Sequence, residues 1–525
     1  MKPTSPHWAD TTAIRIIKTR DEKDTYVLAS GITPSGKVHV GNFREVITVD
    51  LVARGIKSLD KNVRFIYSWD NFDTFRKVPK NLPKPEGFEQ FLRKPIARIP
   101  DPWEQAESYA KGRINLFEKE LDEVGIDPEY LYQEQRYASG MYASEIRKAL
   151  ENKDKIKEIL NEHRTSRLAE DWLPTSIYCS KCEKDSVDFQ KYEGEWNYSY
   201  KCSCGFAETI DIRETKSLKL IWRVDWPMRW FFEKVDFEPG GKDHSSQGGS
   251  YDTGKTIVKE IWDFDAPTYL QYDFVKIKGG AGKMSSSSGE LYTLAEVLEV
   301  YEPEIVRWIF ANQRPNHDFS IAFDEDVIKI YDEFDRSEQL AFSPCPAKPG
   351  KWPMNRRVYE LSQVTADVPE IAPKRASFRV LCNRLQICDG NAERTFERFY
   401  KSELTSQVDI ARYYTRATKA KSWLASHAPD EFKYAINHTP VSIALNPKQE
   451  QAMLAFKSLI QSLDLEVIEP KALNDAIWEK VIHSTEAEPK EVFKAIYQKL
   501  INRDQGPRLP SFLKEIGQER ILSLI

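Results

Sequence analysis

Residues 29–42, "ASGITPSGKVHVGN", constrain this chain more than any other stretch, because they dictate a strand, a tight turn and a helix in that order. The apolar run Tyr26, Val27 and Leu28 leads in, and Val40, Phe43, Ile47 and Leu51 recur at helical spacing beyond the Gly/Pro/Ser turn. His39 and Asn42 then share one face of the first helical turn, since positions three apart are neighbours there. A helix start offers free N–H groups and the positive end of a dipole, which suits a phosphate. Residues 63–69, "VRFIYSW", supply a second strand. Strand, helix and strand make a βαβ unit, which implies a parallel sheet with a right-handed crossover.

A second stretch complements the first. Residues 279–289, "GGAGKMSSSSG", form a glycine-rich loop with one lysine and a run of hydroxyls, directly after the strand-like "TYLQYDFVKIK". Open parallel sheets place ligand-binding loops there. Together the two stretches read as halves of a nucleotide clamp. Residues 249–256, "GSYDTGKT", also satisfy the P-loop pattern, but that mechanism needs a buried strand immediately before it. The polar "GGKDHSSQG" stands there instead, so the P-loop reading is set aside.

A chain of 525 residues exceeds what one core usually serves, so several domains are expected. Residues 1–102 read as the first half of a sheet domain and 103–217 as a largely helical insertion. Residues 218–345 return to alternating strands and helices. After the composition shift at 342–353, "FSPCPAKPGKWP", residues 346–525 read as all-helical. The net charge of −5 does not announce a nucleic-acid binder, so any RNA contact needs local basic patches. No apolar run is long enough for a membrane span and the N-terminus lacks a signal peptide's apolar core, so a cytoplasmic protein is expected.

Four of the seven cysteines fall in two close pairs, Cys179-x2-Cys182 and Cys202-x-Cys204, nineteen residues apart. Two thiolate knuckles suit a tetrahedral structural Zn2+ in a zinc-ribbon module near 178–208. Polar neighbours such as Lys181, Glu183 and Lys184 argue against four buried free thiols. The tighter Cys-Ser-Cys knuckle is the less common of the two.

The two clamp stretches resemble the signatures of class I aminoacyl-tRNA synthetases: "HVGN" stands where that class carries His-Ile-Gly-His, and "KMSSS" where it carries Lys-Met-Ser-Lys-Ser. Longer strings, among them "RFIYSWDNFDTFRKVP", "WRVDWPMRW" and "GPRLPSFL", narrow the resemblance to the class I lysyl-tRNA synthetases and extend it over essentially the whole chain. It implies a Rossmann-type α/β catalytic domain with a zinc-ribbon insertion, followed by an all-α anticodon-binding domain. The implied reaction activates L-lysine with ATP and Mg2+ and passes the lysyl group to the 3′ end of tRNA(Lys), in an enzyme expected to be a monomer.

By the same resemblance, His39, Asn42 and Lys283 act on the phosphates. ATP lies along Thr33, Pro34, Ser35, Gly36, Lys37, Val38, His39, Val40 and Gly41, and against Lys283, Met284, Ser285, Ser286 and Ser287. The lysine pocket falls on Gly31, Thr33, Trp222, Asp243, His244 and Tyr272. Two departures stand out. Ser286 replaces the second signature lysine and brings no charge, and Asn42 replaces a histidine and cannot be a cation. The residues alone leave two competitors: a related enzyme using another amino acid or a tRNA-independent adenylyltransferase of the same nucleotide-binding fold, and a zinc-ribbon RNA-binding protein with a decayed ATP site. Asp70, Asp73, Asp225, Glu238 and Asp243 are the acidic candidates for a lysine ammonium, and Trp226 and Trp230 read as core.

Overall fold

In the computed structural model, residues 7–525 are described, apart from 80–81, 84–85, 247, 280–291, 344–350, 366 and the side chains of 351–353. The chain divides into two compact units. The first comprises Met1–Leu298, Pro303–Ile321 and Leu340–Val368; the second comprises Glu299–Glu302, Ala322–Gln339 and Pro369–Ile525.

The first unit is built on a parallel sheet. Its strands are β1 (Thr25–Ile32), β2 (Asn62–Trp69) and β3 (Glu129–Tyr132), with the short β4 (Thr175–Ile177), β5 (Val187–Gly194), β6 (Asn197–Cys202), β7 (Ala207–Asp211) and β8 (Leu218–Leu220) lying outside it. β9 (Phe237–Gly241) and β10 (Thr268–Tyr272) complete it, and β11 (Val275–Ile277) pairs with β12 (Phe319–Ile321) nearby. The order β10-β9-β1-β2-β3 is parallel throughout, with Thr25 opposite Asn62 and Ile32 opposite Trp69. β1 is apolar and buried along most of its length, as a strand covered on both faces must be. The helix Val40–Lys57 crosses from β1 to β2, Tyr109–Glu123 from β2 to β3, and Ser250–Trp262 from β9 to β10. The chain runs outward from β1 in one direction and later fills the other side with β9 and β10. The β1–β9 boundary is therefore the topological switch point, where such sheets open a crevice beyond their carboxyl ends.

Two expected boundaries shift. Residues 109–132, read in the sequence as the start of an insertion, instead supply a crossover helix and the sheet's edge strand; β3 has only four residues, too few for a legible period. The boundary expected at 345/346 also moves, since Leu340–Val368 belongs to the first unit. Buried Arg307 caps the carbonyls of Val124 and Leu361 while pairing with Asp50, and Arg54 caps those of Gln363 and Val364. Helix-end carbonyls need such donors, and here they anchor residues 361–364 to the sheet domain.

The inserted module hangs on the antiparallel pair β4–β8. Its tip is the antiparallel sheet β5-β6-β7, carrying one cysteine knuckle before β5 and the other at the β6–β7 turn.

In the second unit every element from Phe378 onward is helical, around a core that includes Phe456, Leu473, Leu500, Leu513 and Leu524. A buried charge network joins its separated segments. Arg416 makes a bidentate pair with Asp335 at 2.7 and 2.8 Å and meets Glu302 at 2.6 Å; Arg375 meets Glu302 at 2.9 Å and Glu338 at 2.7 Å. Among the described residues no helix is long and apolar enough to cross a membrane.

Candidate active site

A cavity of about 370 Å3 opens beyond the carboxyl ends of β1, β2 and β10. It is lined by Gly31, Ile32, Thr33, Ser35, Gly36, Lys37, Val38, His39, Asn42, Glu45, Tyr67, Asp70, Trp222, His244 and Tyr272. The turn after β1 and the first turns of the Val40–Lys57 helix thus form one wall, as the strand–turn–helix pattern requires. Pro34, Val40 and Gly41 belong to the same segment but stand behind the lining. Gly31 is obligatory where β1 passes β2, because a Cβ there would lie 2.5 Å from the Ser68 carbonyl oxygen.

The helix start is tied down from both sides. His39 is its N-cap, and its backbone N–H donates to Asn42 Oδ1 at 3.2 Å, a reciprocal capping arrangement. The Val40 N–H donates to the Tyr292 carbonyl at 2.8 Å. The chain that leaves the glycine- and serine-rich segment thus returns at the helix start. Lys283, Met284, Ser285, Ser286 and Ser287 themselves lie outside the described residues.

Behind this cavity a smaller one of about 90 Å3 lies under the Trp222–Glu233 helix and shares Gly31, Glu45, Asp70, Trp222 and His244 with it. The Trp222 and His244 rings are 5.4 Å apart, and Trp222 stacks on Trp226 at 5.2 Å. Trp230 is core and Trp226 largely buried, as expected, yet both rings also line this inner space. Asp243, expected in the lysine pocket, is instead exposed on the short helix Lys242–His244 and lines neither cavity. A three-residue helical turn cannot aim adjacent side chains at the same place, and there it is His244 that reaches the cavity.

The other acidic candidates sort by partner. Arg229 meets Asp70 at 2.7 Å and Asp225 at 3.2 Å, and Asp225 also accepts from the Tyr137 hydroxyl. Lys219 neutralises Asp73. Of the carboxylates that line the two cavities, two have no ion pair among the described residues. Glu238 accepts from Trp230 Nε1–H at 2.5 Å and lines only the inner cavity. Glu45, which sequence reasoning missed, lines both. It accepts from the Tyr272 hydroxyl at 2.6 Å and the Gly31 N–H at 3.1 Å. Burial pushes the Glu45 carboxyl up to about 7 against those two hydrogen bonds, and Glu238, also raised to about 7 by burial, adds to the effect. A signal existed: Glu45 lies one turn beyond Asn42, on the same helix face.

The four cysteine sulfurs converge, all within 4.8 Å of one another, with Cys179–Cys204 at 3.8 Å and Cys182–Cys202 at 3.6 Å. That donor set fits one tetrahedral zinc. The P-loop lookalike folds as the opening of the Ser250–Trp262 helix: Gly254 packs where a Cβ would meet the Trp230 ring at 3.1 Å, and Lys255 is exposed beside Asp252. A helix interior cannot cradle phosphate.

Comparison with known proteins agrees with the geometry. The family described as "tRNA synthetases class I (K)" matches residues 6–365. A protein of Treponema pallidum (strain Nichols) called lysine–tRNA ligase is 43% identical over 522 residues, covering 98% of either chain. One of Borreliella burgdorferi with the same name is 44% identical over 516 residues, again 98% of either chain. A third, from Thermococcus kodakarensis, is 42% identical over 526 residues with the same coverage.

Proposed function

This chain belongs to the class I (K) tRNA synthetases, and from that membership we propose that it activates L-lysine with ATP and transfers the lysyl group to the 3′ end of tRNA(Lys). The relatives called lysine–tRNA ligase support the amino acid, and Glu45 carries the assignment physically. A half-buried carboxylate held by Tyr272 and Gly31, with no cation of its own among the described residues, suits an ε-ammonium. The Trp222 and Tyr67 rings flank the path its methylenes would take.

The lysine carboxylate attacks the α-phosphorus of ATP, the bond to pyrophosphate breaks, and lysyl-adenylate remains. A ribose hydroxyl of the terminal adenosine then attacks the lysyl carbonyl and AMP leaves. Little covalent chemistry falls to the protein, so positioning and charge stabilisation dominate. His39, Asn42 and the backbone of residues 35–38 are assigned to the ATP phosphates, where the helix dipole helps. Lys283 is assigned to the departing pyrophosphate on its signature alone. Mg2+ enters with ATP. Zinc on Cys179, Cys182, Cys202 and Cys204 would cross-link the insertion. The helical unit is taken to read the anticodon, and the enzyme is taken to work as a cytoplasmic monomer.

Charging of total tRNA with each of the twenty amino acids, with ATP present, tests the reading. Lysine alone should be transferred, and Glu45→Gln should raise the lysine KM by about 10–100-fold, the worth of one charge-assisted contact. Transfer of another amino acid, or of none, would overturn it.

A further inference from the structure

The inserted module grips the loop that carries Asp73. Lys219, at the centre of the three-residue strand β8 and only 9% exposed, donates to Asp73 Oδ1 at 2.5 Å and to the Phe72 carbonyl at 3.3 Å. The same carbonyl accepts from the Tyr178 hydroxyl at 2.9 Å, beside the first cysteine of the zinc knuckles. That hydroxyl lies 2.8 Å from Thr74 Oγ1, which in turn donates to Asp185 Oδ2 at 3.0 Å. Three consecutive loop residues are therefore held by Tyr178, Asp185 and Lys219.

The other Asp73 oxygen accepts from the Thr33 hydroxyl at 2.7 Å, and Thr33 lines the outer cavity. A buried ion pair adds little net stability over apolar packing, so what this one contributes is direction. Burial pushes the Asp73 carboxyl up, but Lys219, the Thr33 hydroxyl and the Arg229 charge together outweigh it and hold the group below its ordinary value. With its proton committed to an ionised Asp73, the Thr33 oxygen is left to accept hydrogen bonds. That is the polarity an α-ammonium requires.

We propose that Lys219 is a positioning residue for the amino acid: by holding the Asp73 carboxylate in place, it fixes Thr33 as the acceptor for the α-ammonium of the substrate, with Tyr178 steadying the same loop. This rests on the lysine reading of the cavity. Without Lys219, the Asp73 carboxylate loses the partner that aims it at Thr33, so the Thr33 hydroxyl is released to turn its proton toward the substrate.

The test compares calorimetric affinities for lysine and for 6-aminohexanoate, which lacks only the α-amine. The wild-type preference for lysine should fall about tenfold or more in Lys219→Met, as loss of a charged hydrogen bond predicts. Combining it with Thr33→Val should cost no more than Thr33→Val alone, because coupled residues are not additive. General damage to the fold would weaken both ligands alike and leave the preference intact; that result, or multiplying effects in the double variant, would overturn the proposal. If Lys219→Met does not fold, Tyr178→Phe keeps the charge pair and should lower the preference about threefold, and an unchanged preference there also overturns it. Wild-type protein that binds 6-aminohexanoate but not lysine would instead sink the substrate reading itself.

Discussion

Glu45 stands where ionisation is opposed by burial and a visiting cation is welcome. Its folded value of about 7 lies above the ordinary 4.5. In the empty protein its stabilising contribution is therefore complete below about 4.5 and is lost as pH rises through about 7. Glu45→Gln removes that penalty, so at pH 8 the variant should unfold at higher urea than the wild type, by about 1–3 kcal/mol, while binding lysine poorly. Lysine needs the ionised form. Its affinity should fall up to tenfold per pH unit below about 7 and level off above it, with proton release visible in titrations across buffers. A flat profile from pH 5.5 to 8 would remove Glu45 from the ammonium's side. Discrimination by length is weaker, since one methylene is worth about 1–3 kcal/mol. Ornithine should be activated measurably, and rejection beyond ten-thousand-fold would contradict that. These residues were only partly legible. His39, Asn42 and Trp222 are announced by their motifs, whereas Glu45 in "NFREVITV" is marked only by its place one turn beyond Asn42. The partners that neutralise Asp70 and Asp73, Arg229 and Lys219, lie 159 and 146 residues away, beyond the reach of spacing.

At the scale of elements, legibility follows length and periodicity. β1, the Val40–Lys57 helix and β2 were readable because an apolar run, a turn and a 3.6-residue period succeed one another along the chain. β3 was hidden by its four residues, whereas the P-loop pattern in "GSYDTGKT" could be set aside from the polar stretch before it, and the segment opens a helix. The cysteine knuckles were legible because the four thiols lie close together in sequence as well as in the fold. β5 is largely solvent-facing and so has little apolar core of its own. Purified native protein should contain about one zinc per chain, and chelation should abolish amide protection in β5, β6 and β7 while the five-stranded sheet keeps its own. Hydrogen exchange read by mass spectrometry decides this, and equal protection with and without chelator would show that the hairpins stand unaided.

At the scale of the molecule, the two units interleave along the chain, and no single cut separates them. Glu299–Glu302 and Ala322–Gln339 belong with the helical unit although they precede the last segment of the sheet unit. The proline-rich stretch near 345 looked like a linker by composition, yet the arginine caps on residues 361–364 tie the helix beyond it to the sheet domain. Within the helical unit Glu302 joins two buried arginines, so Glu302→Gln leaves charge uncompensated and should cost about 3–5 kcal/mol in denaturant melts. A loss below about 1 kcal/mol would mean that water reaches the site and screens it.

The same interleaving sets a timetable for synthesis. Glu302, Asp335 and Glu338 leave the ribosome before their partners: Arg375 comes 37 residues after Glu338 and Arg416 comes 81 residues after Asp335. At roughly 5–20 residues per second, Asp335 waits on the nascent chain for roughly 4–16 s before the Arg416 guanidinium arrives to receive it.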